Sequence, residues 1–220
     1  MKRFILPLML LLFVGTIFAV ESDPSEIVGY VKYDCVPGLN FVAMPMVDGN
    51  SFTSEVAAIY TADDDIIDAI NIWNSETQAW DSAVNFGGGF WDPDLDVETG
   101  STLYFNTSAP FAFYSIGSLP ETNATYNIVP GLNTLMVPLN QSALTLTGEV
   151  GMTIGDGEIV DAINIWNNET QAWDSALNFG GGFWDPDLPV SIGTPLYLNS
   201  ADATVWPARN ASLEPLRSSN

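Results

Sequence analysis

The groups able to do chemistry in this sequence are carboxylates and indoles. Histidine is absent from all 220 residues. Ser-His-Asp and Cys-His sites therefore cannot be built, and neither can histidine-containing zinc sites. The glycine-rich stretch NFGGGFWDPD has no basic partner and precedes no helical pattern, so it is not a phosphate loop. Paired carboxylates of the glycosidase kind remain. Asp92 with Asp94, and Asp185 with Asp187, are the pairs to weigh. A catalytic acid needs an apolar pocket that raises its pKa. Asp-Pro-Asp instead reads as a polar turn fixed by proline. The residues thus point away from an enzyme.

The indoles come in a repeated block. Asp68 to Leu95 reads DAINIWNSETQAWDSAVNFGGGFWDPDL, and Asp161 to Leu188 repeats it with two changes, Ser75 to Asn168 and Val84 to Leu177. Each copy holds three tryptophans: Trp73, Trp80 and Trp91, then Trp166, Trp173 and Trp184. Asn71, Gln78, Asp81 and Asn85 stand among the first three. Indole faces beside amides and carboxylates are the composition of a carbohydrate-binding surface. Indoles also fill small β-cores. Strand alternation sets Trp73 on the face opposite Ile70 and Ile72, so Trp73 is either exposed or covered by a second layer. Trp80 is expected beside Trp73 as a cross-strand pair, both serving mainly as packing. Trp91 and Trp184 lie in the glycine-rich loop and are expected as exposed platforms. The candidate ligand-binding residues are Trp91, Asp92, Asp94, Trp184, Asp185 and Asp187.

Acidic clusters are the third candidate. Asp63, Asp65 and Asp68 recur in the second copy as Asp156, Glu158 and Asp161. Oxygen ligands on a tight loop suit calcium, although the spacing is not that of an EF-hand. Calcium is accordingly the candidate cation, set against a plain solvated acidic loop.

Positioning these residues requires a repeated fold. A spacing of 93, expected to hold without a gap, relates the two copies: PGLN at 37–40 returns at 130–133, Pro45 as Pro138, and Tyr104 as Tyr197. The expected organisation is a signal peptide over 1–19, β-repeats over 27–119 and 120–212, and a polar tail over 213–220. Within a unit, 27–36 reads as a strand, PGLN as a turn and 41–47 as the return strand. Residues 68–74 and 77–83 form a hairpin, and 101–106 and 111–117 close the unit. Only 53–60 suggests a short helix. The fold class is all-β: two tandem β-sandwich-like domains related by internal duplication, each with at most one short helix.

The order GLN…PM/PL, DAINIWN..TQAW, GGGFWDPD and G..LY resembles a tandem β-domain of bacterial secreted and cell-surface proteins. The resemblance spans nearly all of the chain after residue 19. It implies an extracellular β-rich module of unclear biochemical role.

Charge and targeting agree with that setting. Lys2 and Arg3 precede an uncharged apolar run and Ala19, the layout of a secretory signal. Removing it leaves three basic residues against 27 acidic ones, a formal charge of −24. Such a chain repels nucleic acid and anionic membranes, and no further stretch is apolar enough to span a bilayer. Cys35 is the single cysteine, and its counterpart in the repeat is Ile128, so a buried free thiol is expected. The expected function is a structural or adhesive extracellular or cell-surface protein, with self-assembly through its repeats as one route. A tandem carbohydrate-binding protein is the alternative. Expected partners are other copies of the chain, cell-surface or matrix components, and glycans.

Overall fold

A computed structural model describes residues 28–58, 66–155 and 157–207. The segments expected as signal peptide and polar tail, and three of the calcium candidates, Asp63, Asp65 and Asp156, lie outside the described residues. The described chain is all-β, as expected, with two short helices.

The first half contains β1 (Val28–Cys35), β2 (Gly38–Ala43), α1 (Thr53–Ala58), β3 (Ile67–Asn74), β4 (Ala79–Asn85), β5 (Trp91–Asp92), β6 (Thr102–Thr107) and β7 (Phe111–Ser118). They form an antiparallel five-stranded sheet, β2-β6-β3-β4-β5, and a two-stranded sheet, β1-β7. The second half contains β8 (Tyr126–Ile128), β9 (Gly131–Met136), α2 (Thr147–Thr153), β10 (Val160–Asn167), β11 (Ala172–Asn178), β12 (Trp184–Asp185), β13 (Pro195–Ser200) and β14 (Thr204–Trp206). Its sheets are β9-β13-β10-β11-β12 and β8-β14, the same order.

Two expectations need correction. The strand over 41–47 is not the hairpin partner of β1. β2 pairs with β6, and β1 pairs with β7, so the PGLN turn carries the chain from one sheet to the other. The spacing of 93 also does not hold without a gap. The helices begin at Thr53 and Thr147, which are 94 apart, while β3 and β10 return to 93. One residue more before α2 is offset by one fewer after it.

The strand alternation is reset once in each unit. The β3–β6 register shifts between Ile67 and Ala69, and β10–β13 shifts between Val160 and Ala162. The bulge leaves Asp68 or Asp161 exposed. It lets Ile67 and Ile70, and likewise Val160 and Ile163, all point into the core with no exposed surface. Each half then has its own core. Val56, Ile70, Leu103, Phe105 and Phe113 are central to the first, and Val150, Ile163, Leu196, Leu198 and Trp206 to the second.

Cys35 and Ile128 occupy matching core positions, 3% and 2% exposed. Burial pushes the Cys35 thiol up to about 12. Ellman's reagent is expected to label Cys35 only slowly in native buffer and stoichiometrically in denaturant. Rapid labelling of the native chain would contradict this core.

Candidate functional site

Trp91 and Trp184 are not exposed platforms. They are only 7% and 5% exposed. In β5 and β12 they alternate with exposed aspartates and turn inward beside Ala83 and Ala176 of the core. Helix α2 lies against Trp184: a Cβ on Gly148 would stand 3.0 Å from the indole, and one on Gly151 would overlap it. The indoles follow the glycine-rich loop and do not lie in it, because β5 and β12 have already re-entered the sheet at Trp91 and Trp184.

The neighbouring carboxylates divide into two kinds. Asp92, Asp94, Asp185 and Asp187 are all exposed, and Asp94 and Asp187 are in addition bonded to the helix starts. Asp94 accepts hydrogen bonds from Thr53 Oγ1 (2.9 Å), Ser54 N (2.9 Å) and Ser54 Oγ (2.6 Å), tying the loop to the start of α1. Asp187 does the same for α2 through Thr147 Oγ1 (3.0 Å) and Gly148 N (2.7 Å). Burial raises the Asp94 pKa, yet the Ser54 and Thr53 donors outweigh it and hold the carboxyl below its ordinary value. That is opposite to the shift a general acid needs.

The polar residues among the tryptophans are also engaged internally. Asn71 Nδ2 donates to Tyr104 O (2.9 Å) and Asn74 Nδ2 to Asp81 (3.0 Å). Asn85 Nδ2 donates to Ile67 O (3.1 Å), and its Oδ1 accepts from Gly87 N (2.8 Å). Of the calcium candidates described, Asp161 accepts a bond from Asn199 Nδ2 at 3.2 Å. Asp68 and Asp161 are the bulge residues, and Glu158 precedes β10. Among the described residues no group of three acids, cysteines or histidines is placed to hold a metal.

The remaining tryptophans meet between the two halves. Trp73 and Trp80 form the expected cross-strand pair, rings 5.2 Å apart, as do Trp166 and Trp173 at 5.1 Å. The second layer over them is the other half of the chain. Tyr104 stacks on Trp80 (5.5 Å) and Trp173 (6.1 Å), while Tyr197 stacks on Trp173 (5.3 Å) and lies 6.0 Å from Trp80. Four rings thus close a cycle across the seam, with Phe41 edge-on to Trp173 at 5.5 Å. Ring pairs of this kind contribute about 0.5–1.5 kcal/mol each beyond area burial.

Polar bonds across the seam are reciprocal. Trp73 Nε1 donates to Leu132 O (3.0 Å), and Trp166 Nε1 to Leu39 O (2.8 Å). Gln78 accepts from Leu132 N (2.8 Å) and donates to Leu132 O (2.9 Å). Gln171 does likewise with Leu39, at 2.7 and 3.0 Å. Tyr33 OH donates to Gly193 O (2.8 Å), and Tyr126 OH to Gly100 O (3.0 Å). Gln78 and Gln171 sit in the β3–β4 and β10–β11 turns at φ 54° and 52°, a left-handed backbone uncommon outside glycine. A Cβ on Gly38 would stand 2.5 Å from Gln171 Oε1, and one on Gly131 2.6 Å from Gln78 Oε1. Glycine in PGLN is therefore needed for the approach of the opposite glutamine as well as for the turn.

Sequence reasoning missed these glutamines, Phe41 and the two seam tyrosines Tyr104 and Tyr197. The available signal was the placement of Trp73 opposite the isoleucines, which required a covering layer. It also missed the exposed aromatics. Phe86 and Phe90 are 65% and 62% exposed, and Phe179 and Phe183 are 64% and 62% exposed. Each pair has its rings 5.9 Å apart at the tip of the β4–β5 or β11–β12 hairpin. Phe86 N donates to Phe90 O (2.8 Å) and Phe179 N to Phe183 O (2.9 Å), closing the loop bases.

No protein-family model, curated protein or solved structure matches this chain. Among the described residues no helix is long and apolar enough to cross a membrane.

The two classes of tryptophan should behave differently on truncation. Trp184→Ala is expected to cost the second unit about 3–5 kcal/mol of stability. Trp166→Ala should spare that core and uncouple the units, so that calorimetry resolves two transitions where the parent gives one. Equal losses without uncoupling would contradict the assignment.

The Asp94 cap carries a pH signature. Its folded pKa lies below the usual 3.8, so the unfolded chain binds more protons between the two values. The stabilisation is complete above about pH 4 and is lost as pH falls through the folded pKa. Asp94→Asn should flatten the acid limb of stability against pH below about 4, read from denaturant midpoints. An unchanged limb would remove Asp94 from this role.

Proposed function

We propose that this chain is a secreted, non-enzymatic protein of the cell surface or extracellular matrix, with a structural or adhesive role. The observation that carries the reading is the display of one exposed aromatic loop, FGGGF, twice on a body sealed by its own tryptophans. Contact residues presented in duplicate suit attachment, because two weak contacts held on one body reinforce each other. The sequence over 1–19, with its basic start and apolar run, supports export. The absence of histidine and the use of Asp94 and Asp187 as helix caps support a non-enzymatic role. The resemblance to bacterial surface β-repeats supports the same setting, and the repeated block supports descent of the two units from one.

Carbohydrate binding draws less support. Trp91 and Trp184 are in the cores, Trp73 and Trp166 have their indole N–H groups committed across the seam, and the intervening amides are engaged.

Beads coated with the chain lacking residues 1–19 test the adhesive reading. They are expected to be retained on cells that secrete the protein well above albumin-coated beads. Equal retention would overturn it.

A further inference from the structure

The FGGGF hairpins are uncovered apolar features of the described surface, each with two phenylalanines more than 60% exposed. Strand alternation defines their face. Ala83 and Trp91 point into the first core, so Val84, Phe86, Phe90 and Asp92 share the outer side. Val84 is 37% exposed and stands directly opposite Asp92, which is exposed. Leu177 and Asp185 repeat the pair, with Leu177 45% exposed. Each hairpin thus presents a branched aliphatic side chain and two phenyl rings with a carboxylate beside them.

The loops are built to hold this shape. Gly87, Gly88 and Gly89 have φ of 89°, 63° and 78°, and Gly180, Gly181 and Gly182 have 87°, 61° and 78°. Three consecutive left-handed residues favour glycine. Asn85 and Asn178 pin the first glycine of each loop, at 2.8 and 2.9 Å. The two phenylalanines are therefore set on a defined turn, which reduces the ordering cost of docking them. Phe86 lies six residues along from Trp80 at the seam, about 20 Å in extended chain, so the plug is carried at the opposite end of the strand that joins the halves.

Charge selects the occupant. The chain has 27 acidic and five basic residues. Among the described residues Lys32 is the sole lysine or arginine, and its Nζ already lies 2.6 Å from Asp34 Oδ1. A second copy would bring like charge to like charge. An anionic surface would be repelled equally.

We infer that the two FGGGF hairpins are paired hydrophobic plugs for a cationic partner protein, one that offers an apolar cleft rimmed by lysine or arginine. Phe86 with Phe90, and Phe179 with Phe183, fill the apolar part. Asp92 and Asp185 meet the basic rim and raise the rate of encounter. This rests on the adhesive reading and names the contact and its chemistry.

The probe is a synthetic amphipathic helix with a leucine face bordered by lysines, immobilised for surface plasmon resonance against the full mature chain. Controls carry glutamate in place of lysine, or serine in place of leucine. The parent chain is expected to bind the leucine–lysine peptide and neither control. Phe86→Ser with Phe90→Ser should abolish the avidity and weaken binding at least about tenfold, and adding Phe179→Ser with Phe183→Ser should remove the remaining single-site binding. Circular dichroism and the melting temperature should stay at parental values, because the substituted rings are exposed. Asp92→Asn with Asp185→Asn should weaken binding several-fold and flatten its salt dependence.

Unchanged binding by the quadruple variant would overturn the inference in favour of charge alone. Tighter binding to neutral phosphatidylcholine vesicles than to the peptide would overturn it in favour of a lipid surface. Concentration-dependent sedimentation of the chain alone, lost in the quadruple variant, would overturn it in favour of a second copy. Bead retention separates the two levels: beads bearing the quadruple variant that still adhere leave the adhesive reading standing and sink the plugs. Phenylalanine-dependent peptide binding with no bead retention does the reverse.

Discussion

The architecture depends on one interaction, a glutamine amide laid against the free edge of a strand. Gln171 supplies an acceptor to Leu39 N and a donor to Leu39 O, and Gln78 treats Leu132 in the same way. A primary amide matches the backbone group it replaces, so each edge strand is closed without a further strand. Open edges recruit other chains. Here the edges of β2 and β9 are covered at these residues by the other half of the same molecule. The arrangement is reciprocal, so each half both grips and is gripped, and that surface is used up within one chain. The ring cycle of Trp80, Tyr104, Trp173 and Tyr197 then fills the space between the glutamines.

That constraint explains residues that otherwise read as decoration. Gly38 and Gly131 hold φ above 100° and leave room for the opposing amide. Gln78 and Gln171 accept a left-handed backbone, a cost of roughly 1–3 kcal/mol that only surrounding structure can sustain. Asn74 and Asn167 support those turns by accepting from the backbone amides two and three residues on, Glu76 and Thr77 or Glu169 and Thr170, at 3.0 and 3.1 Å in each case. Asn40 and Asn133, both buried, bond the backbone of the strand-to-strand turn in front of the gripped leucine. Strain and support fall together on the residues that make the seam.

Much of the fold was legible in the sequence. Alternation gave β3, β4, β6 and β7, and it set Trp73 apart from Ile70. The failures have physical causes. Pairing of β1 with β7 joins strands with most of the unit between them, and local pattern carries no information about such distant partners. Trp91 was misplaced because glycine and proline on both sides suggested a loop, whereas its two-residue strand is ordered by β4 and turns the indole into the core. Asp94 and Asp187 looked available because the helices they cap lie some forty residues away. The exposed phenylalanines were passed over because tryptophan drew the weight of the reading, and exposure cannot be inferred from residue type. The adhesive proposal places contact at the hairpin tips, where the four phenylalanines are exposed.

Amide hydrogen exchange at Leu39 and Leu132 tests the seam most directly. Both amides lie on edge strands and receive their bond from a side chain of the other half. Slow exchange is expected in the intact chain. Gln171→Ala should speed exchange at Leu39 and spare Leu132, and Gln78→Ala should do the opposite. Fast exchange at both amides in the parent chain, or exchange at either that ignores its glutamine, would contradict the account.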